Sequence, residues 1–197
     1  MKKSVVFKIA ILAVVLSAIY TVYTFQKLLN SRPLPVLGQV SNFELIDRTG
    51  AVFSPRQLEG KAWIANFIFT KCTDVCPLMT KNMKSLYESF KLERDVALVS
   101  ITIDPEKDTP EVLDQYAQSH KVNVEQWRFL TGDREQVRDV IVNKFKLKED
   151  LSEHPHLHSS HFILVDQYGF IRGYYDGTDK ESVAQIFKDT AYLIKWK

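Results

Sequence analysis

Cysteine is nearly absent: the chain of 197 residues has two, Cys72 and Cys76, four positions apart. Any disulfide they form closes a very short loop and removes little unfolded-state entropy, so cross-linking does not carry the fold. An excess of one charge is also missing. Twenty-six Lys+Arg face twenty-four Asp+Glu, interspersed, for a net charge of +2, and no electrostatic footprint for nucleic acid exists. Repeats and low-complexity tracts are lacking too. What remains is 45% hydrophobic and 12% aromatic, enough for the core of one globular domain.

Two further absences bear on the N-terminus. No arginine precedes Arg32, which argues against a mitochondrial import sequence, and no cysteine stands directly after the first apolar run, which excludes a lipoprotein. Present instead are Lys2, Lys3 and Lys8 ahead of Ile9 to Phe25, an uncharged run of about 17 residues, the lower limit of a membrane span. Tyr20, Tyr23 and Phe25 continue it where an interfacial belt would sit, so an uncleaved anchor is expected over a signal peptide cut after Ala18. The positive-inside rule keeps the N-terminus in the cytoplasm and sends the rest out. The expected organisation is an anchor over residues 1–28, a Pro-containing linker over 29–40, and one domain over 41–197. In a bacterium this places the domain on the periplasmic side of the inner membrane.

Within the domain, "NFELIDRTGAVFS" reads as a hairpin around Gly50. "AWIANFIF" and "VALVSITID" are continuous apolar runs of strand length, the mark of strands buried on both faces. Helices are expected from Pro77 through Phe90, over Glu111–Ser119 after Thr109-Pro110, over Glu135–Phe145, and over Lys180–Ile194. "WRFLTG", "HFILVD" and "FIRGYYD" supply further strands, the last two as a hairpin. Strands separated by helices indicate a parallel core with an antiparallel hairpin at one side. The expected fold class is α/β, thioredoxin-like, with an N-terminal hairpin and a single N-terminal transmembrane helix.

The cysteines fall between the C-terminal end of a buried strand and a helix start, where the dipole favours a thiolate and Lys71 adds positive charge. Three readings stand: a structural staple, a redox pair, or a soft two-thiolate site suited to Cu(I). A metal needs further ligands. Four of the five histidines, His154, His156, His158 and His161, crowd into "HPHLHSSH" at the start of the strand expected to neighbour "AWIANFIF". If both are extended, His158 and His161 point to opposite faces, so one of them faces the pair. The other reading of the cluster is a solvated loop.

These segments together resemble the SCO/SenC family of copper-binding proteins in cytochrome c oxidase assembly. "FIFTKCTDVCP" is similar to its F-T-x-C-P-D-V-C-P signature, and "HSSHFILVDQYGFIRGYY" to the segment holding its histidine ligand. "ITIDPEKDTPEVLDQYA" and "FLTGDREQVRDVIVNKF" are similar to the segments between them, so the resemblance covers about residues 41–195. It implies a thioredoxin fold and copper, Cu(I) or Cu(II), held by Cys72, Cys76 and His158. Asp74 matches an aspartate that tunes the site, or is an Asx-turn residue. His154, His156 and His161 would be auxiliary. Thr73 stands where the family commonly has proline, and Lys71 puts a cation beside the metal.

The implied function is a copper chaperone or thiol-disulfide protein serving the CuA-bearing subunit of cytochrome c oxidase, with other copper chaperones or thiol oxidoreductases as further partners. The alternative is a general extracytoplasmic disulfide oxidoreductase or redox sensor. Local pattern disfavours it: the spacing is C-x-x-x-C rather than C-x-x-C, and Phe69 stands where a peroxiredoxin needs threonine or serine.

Overall fold

The computed structural model describes residues 2–30, 33–147 and 160–195. The chain divides into two compact units, Met1–Leu34 and Pro35–Lys197. The first contains helix α1 (Lys2–Asn30), on which Ile11, Leu12, Val14, Val15, Leu16 and Ile19 are all exposed. Thr21 turns its hydroxyl back to the Ser17 carbonyl, and Thr24 donates to the Thr21 carbonyl at 2.9 Å. Where a transmembrane helix was expected there is thus a helix, but among the described residues no helix is long and apolar enough to cross a membrane. Serine, threonine and tyrosine in its second half dilute the apolar run.

In the second unit, eight strands of the described residues form one sheet in the order β1-β8-β7-β4-β5-β6-β2-β3. These are β1 (Gly38–Gln39), β2 (Leu45–Asp47), β3 (Val52–Phe53), β4 (Ala62–Ile68), β5 (Val96–Thr102), β6 (Trp127–Thr131), β7 (His161–Val165) and β8 (Phe170–Asp176). The central β4, β5 and β6 are parallel, and every residue of β4 and β5 is buried, as their predominantly apolar runs require. The β7–β8 hairpin joins antiparallel to β4, and the β2–β3 hairpin joins antiparallel to β6 at the other side. Strand β1 lies inside the segment expected to be linker. Its Gly38 pairs with Ile171, so the folded unit starts at Pro35.

One sheet face carries Trp63, Ala65, Phe67, Val99 and Ile163 in a core closed by Phe145. The Phe145 ring stands edge-on to Trp63 (5.8 Å, 88°) and to Phe67 (5.3 Å, 85°). The segment expected as one helix over 135–145 is α-helical only over Arg134–Asp139 (α4) and widens to a π turn over Val140–Lys144. Phe145 N–H then donates to the Val140 carbonyl, five residues back, at 3.0 Å. The wide turn lets Val140, Ile141 and Phe145 all enter the core, and that burial outweighs the poorer helix geometry.

The opposite face is covered by α2 (Cys76–Phe90), α3 (Pro110–Ser119) and α5 (Lys180–Lys195), which bury Met79, Met83, Leu113, Ala117 and Ile186. Trp127 stacks on Phe129 beneath Tyr87 of α2 and Tyr116 of α3. Its indole N–H donates to Ser100 Oγ at 2.9 Å, and Ser100 donates to Asn66 Oδ1 at 2.6 Å. This buried chain ties the three parallel strands at one level, with the Asn66 Nδ2 left without a partner among the described residues. At the far end of β4 and β5, the Ile103 N–H reaches the Ile68 carbonyl at 2.9 Å, and beyond that last rung the chain is free to form a site.

Candidate metal centre

Beyond Ile68 the chain turns outward: Cys72 N–H donates to the Phe69 carbonyl at 3.2 Å, and Cys76 opens α2 with Pro77 next, where a missing N–H costs nothing. The two cysteines thus bracket one loop between the end of β4 and the start of a helix. No disulfide joins them; their sulfurs share a hydrogen bond. Cys76 is buried at 3% exposure, while Cys72 is half-buried and is the sulfur that a partner can reach.

That burial changes the chemistry expected from a helix start. Desolvation pushes the Cys76 thiol up to about 12, and a hydrogen bond from the Phe69 backbone draws it only part of the way back. The neighbouring Cys72 and the charge of Asp108 raise it further. Cys76 is therefore a protonated thiol at neutral pH, and the dipole at the start of α2 does not overcome burial.

Asp108 is the site residue that sequence reasoning passed over. It is 1% exposed and accepts from Thr70 N–H at 3.0 Å, Thr70 Oγ1 at 2.6 Å and Thr102 Oγ1 at 2.7 Å. A charged residue in "DPEKDTP" reads as surface; only the meeting of the β4 and β5 ends shows otherwise. Tyr116 was passed over too. Its hydroxyl lies 2.7 Å from Thr80 Oγ1, one turn along α2 from Cys76. Burial holds the phenol protonated, and the charges of Cys76, Cys72 and Asp108 add to that effect while the Thr80 bond opposes it.

On the loop, Lys71 and Thr73, the departures from the family pattern, and the expected auxiliary Asp74 are exposed, and Asp74 has no hydrogen-bonding partner among the described residues. His161 is exposed at the start of β7, opposite Asp176 on β8. Asp176 sits low, through bonds from Thr178 first and the His161 charge after them. His154, His156 and His158 lie outside the described residues. The β4–β7 register sets Ala65 opposite Ile163, so the chain enters β7 at the end of β4 from which the cysteine loop departs. Among the described residues no group of three or more His, Cys, Asp or Glu could hold a metal ion. The donor set present, two neighbouring sulfurs, fits a soft monovalent ion.

Comparison with known proteins places this geometry. The sequence profile of SCO1/SenC matches residues 37–195. A SCO1 protein homolog of Bacillus subtilis (strain 168) is 32% identical over 159 residues, 79% of this chain and 82% of that protein. The solved structure of BsSco, described as having a disulfide switch and as a member of the Sco family of cytochrome c oxidase assembly proteins, is 30% identical. It covers 84% of this chain and 99% of its own, with a TM-score of 0.71. Yeast Sco1 with copper bound is 27% identical, covering 81% and 95%, with a TM-score of 0.61.

Proposed function

The chain belongs to the SCO1/SenC family, and from that premise we propose that it carries copper in cytochrome c oxidase assembly, with Cys72, Cys76 and His158 as ligands. The observation that carries this reading is the hydrogen-bonded pair of thiols at the start of α2, a ready-made two-sulfur clamp. The bound copper of yeast Sco1 supports the choice of metal. Copper is the cargo. The exposed position of Cys72 gives an incoming ligand of the CuA-bearing subunit access to the ion, while buried Cys76 retains it until the exchange completes. Loading must displace the Cys76 proton, so copper uptake releases protons.

The same pair supports a thiol-reductase role, to which the disulfide switch of BsSco lends weight. Cys72, as thiolate, attacks a partner disulfide and expels one partner thiolate; Cys76 loses its proton, attacks the mixed disulfide at Cys72 and releases the second. The accessible sulfur begins the reaction and the buried one ends it. Copper and the Cys72–Cys76 disulfide exclude each other, so redox state gates loading.

We further propose that α1, though short of the apolarity of a full span, holds the domain at the extracytoplasmic side of the bacterial inner membrane. Supporting this are its uncharged run from Ile9 to Phe25, its exposed apolar side chains and its hydroxyls bonded to its own carbonyls. Release by alkaline carbonate extraction would overturn the anchor. Copper titration of the reduced chain, followed by absorption and repeated with His158→Ala, tests the site. Unaltered affinity and spectrum in that variant would remove His158 as a ligand. Insulin reduction at thioredoxin-like rates without copper affinity would favour a general oxidoreductase.

A further inference from the structure

We propose that Asp108 is the positioning residue of the Cys72–Cys76 pair, a buried latch that holds the root of the cysteine loop onto the end of β5. The inference rests on the reading of that pair as a functional dithiol. Beyond the rung from Ile103 to Ile68 the backbone ladder between β4 and β5 ends. The Asp108 carboxylate takes its place: one oxygen accepts the Thr70 hydroxyl, and the other accepts both the Thr70 N–H and the Thr102 hydroxyl. The latch is itself rigid. Asp108 N–H donates to the Asp104 carbonyl at 2.9 Å, and Thr109, next in sequence, caps α3.

Thr70 is two residues before Cys72, so fixing its backbone and its side chain sets where the Cys72 sulfur stands relative to Cys76. A fixed partner raises the effective concentration of one thiol toward the other. That proximity favours the disulfide. A merely structural role would move melting without moving this equilibrium.

The test is the equilibrium of the full-length chain, in detergent and free of copper, with glutathione. Two thiols, Cys72 and Cys76, form one Sγ–Sγ bond and pass two electrons and two protons to glutathione disulfide, which becomes two glutathione thiols. In Asp108→Asn the constant for disulfide formation falls about tenfold, roughly 30 mV. Thr102→Val removes one donor to Asp108 and the acceptor of the Asp104 N–H, and leaves both Thr70 bonds, so melting falls while the constant stays within about twofold of the parent. An Asp108→Asn chain that is folded by circular dichroism and keeps the parental constant overturns the proposal, as does an equal shift in Thr102→Val. Should Asp108→Asn not fold, Thr70→Val, which lacks only the hydroxyl bond, replaces it. A fall of about threefold supports the latch and an unchanged constant overturns it. Since copper is absent from these measurements, a failure of copper binding would count against the proposed function without altering this result.

Discussion

The hydroxyls of Thr80 and Tyr116 lie 2.7 Å apart, joining α2 to α3 one helical turn from Cys76. Thr80 is 2% exposed, so removal of its partner leaves a buried hydroxyl unpaired. Tyr116→Phe is expected to cost about 1–2 kcal/mol. Melting of the reduced chain should fall by roughly 2–6 °C, read by circular dichroism. The Phe ring preserves the packing against Phe129, so the absorption of the copper-loaded form should stay as in the parent.

The raised Cys76 thiol predicts an alkaline weakness. The folded state keeps its proton to about 12, whereas an unfolded cysteine releases it near its ordinary value of 9.0. The stabilising difference is full below the unfolded value and is lost as pH rises from there through the folded one, by at most about 1.4 kcal/mol per pH unit. Denaturant unfolding of the reduced chain between pH 8 and pH 10.5 should show this loss, and Cys76→Ala should abolish it. An equal loss in that variant would assign the effect elsewhere.

The π turn leaves Phe145 as the keystone of one sheet face, in contact with Trp63, Phe67 and Phe43. Phe145→Ala is expected to cost about 3–5 kcal/mol, and Phe145→Leu less, by chemical denaturation. A cost below about 1 kcal/mol for the alanine variant would mean that the core closes without it.

Lys121, just past the end of α3, has φ of 52°, in the left-handed region that disfavours a Cβ. Its N–H donates to the Gln118 carbonyl at 2.9 Å, a helix-ending turn that glycine suits. Lys121→Gly should stabilise the chain by about 0.5–1 kcal/mol, seen as a higher melting midpoint. The Lys121 carbonyl that accepts from Lys84 is backbone and survives the change.

The parallel strands were legible because seven consecutive buried residues in β4 and in β5 leave a run that is apolar but for Asn66, Ser100 and Thr102. Thr109-Pro110 likewise marked the start of α3 with the cap that the structure carries. Strand β1 was not legible, since two residues with one glycine have no period, and their pairing with β8 is decided far along the chain, at Phe170 and Ile171. The π turn was hidden for a related reason. Val140, Ile141 and Phe145 fit a helical pattern well enough, and only their shared burial selects the wider turn.

At the site, the sequence alone determined the type of chemistry: two cysteines in one loop at the junction of a buried strand and a helix, with a histidine cluster ahead of the neighbouring strand. Covalent order is enough for that, because residue spacing and local pattern set which atoms can meet nearby. Tertiary structure decided what those atoms do. It buried Cys76 and so kept its proton, left Cys72 as the reachable sulfur, and brought Asp108 against Thr70 across a separation of 38 residues. Desolvation and long-range hydrogen bonds are properties of the folded surroundings, and a sequence carries them only through the fold it specifies.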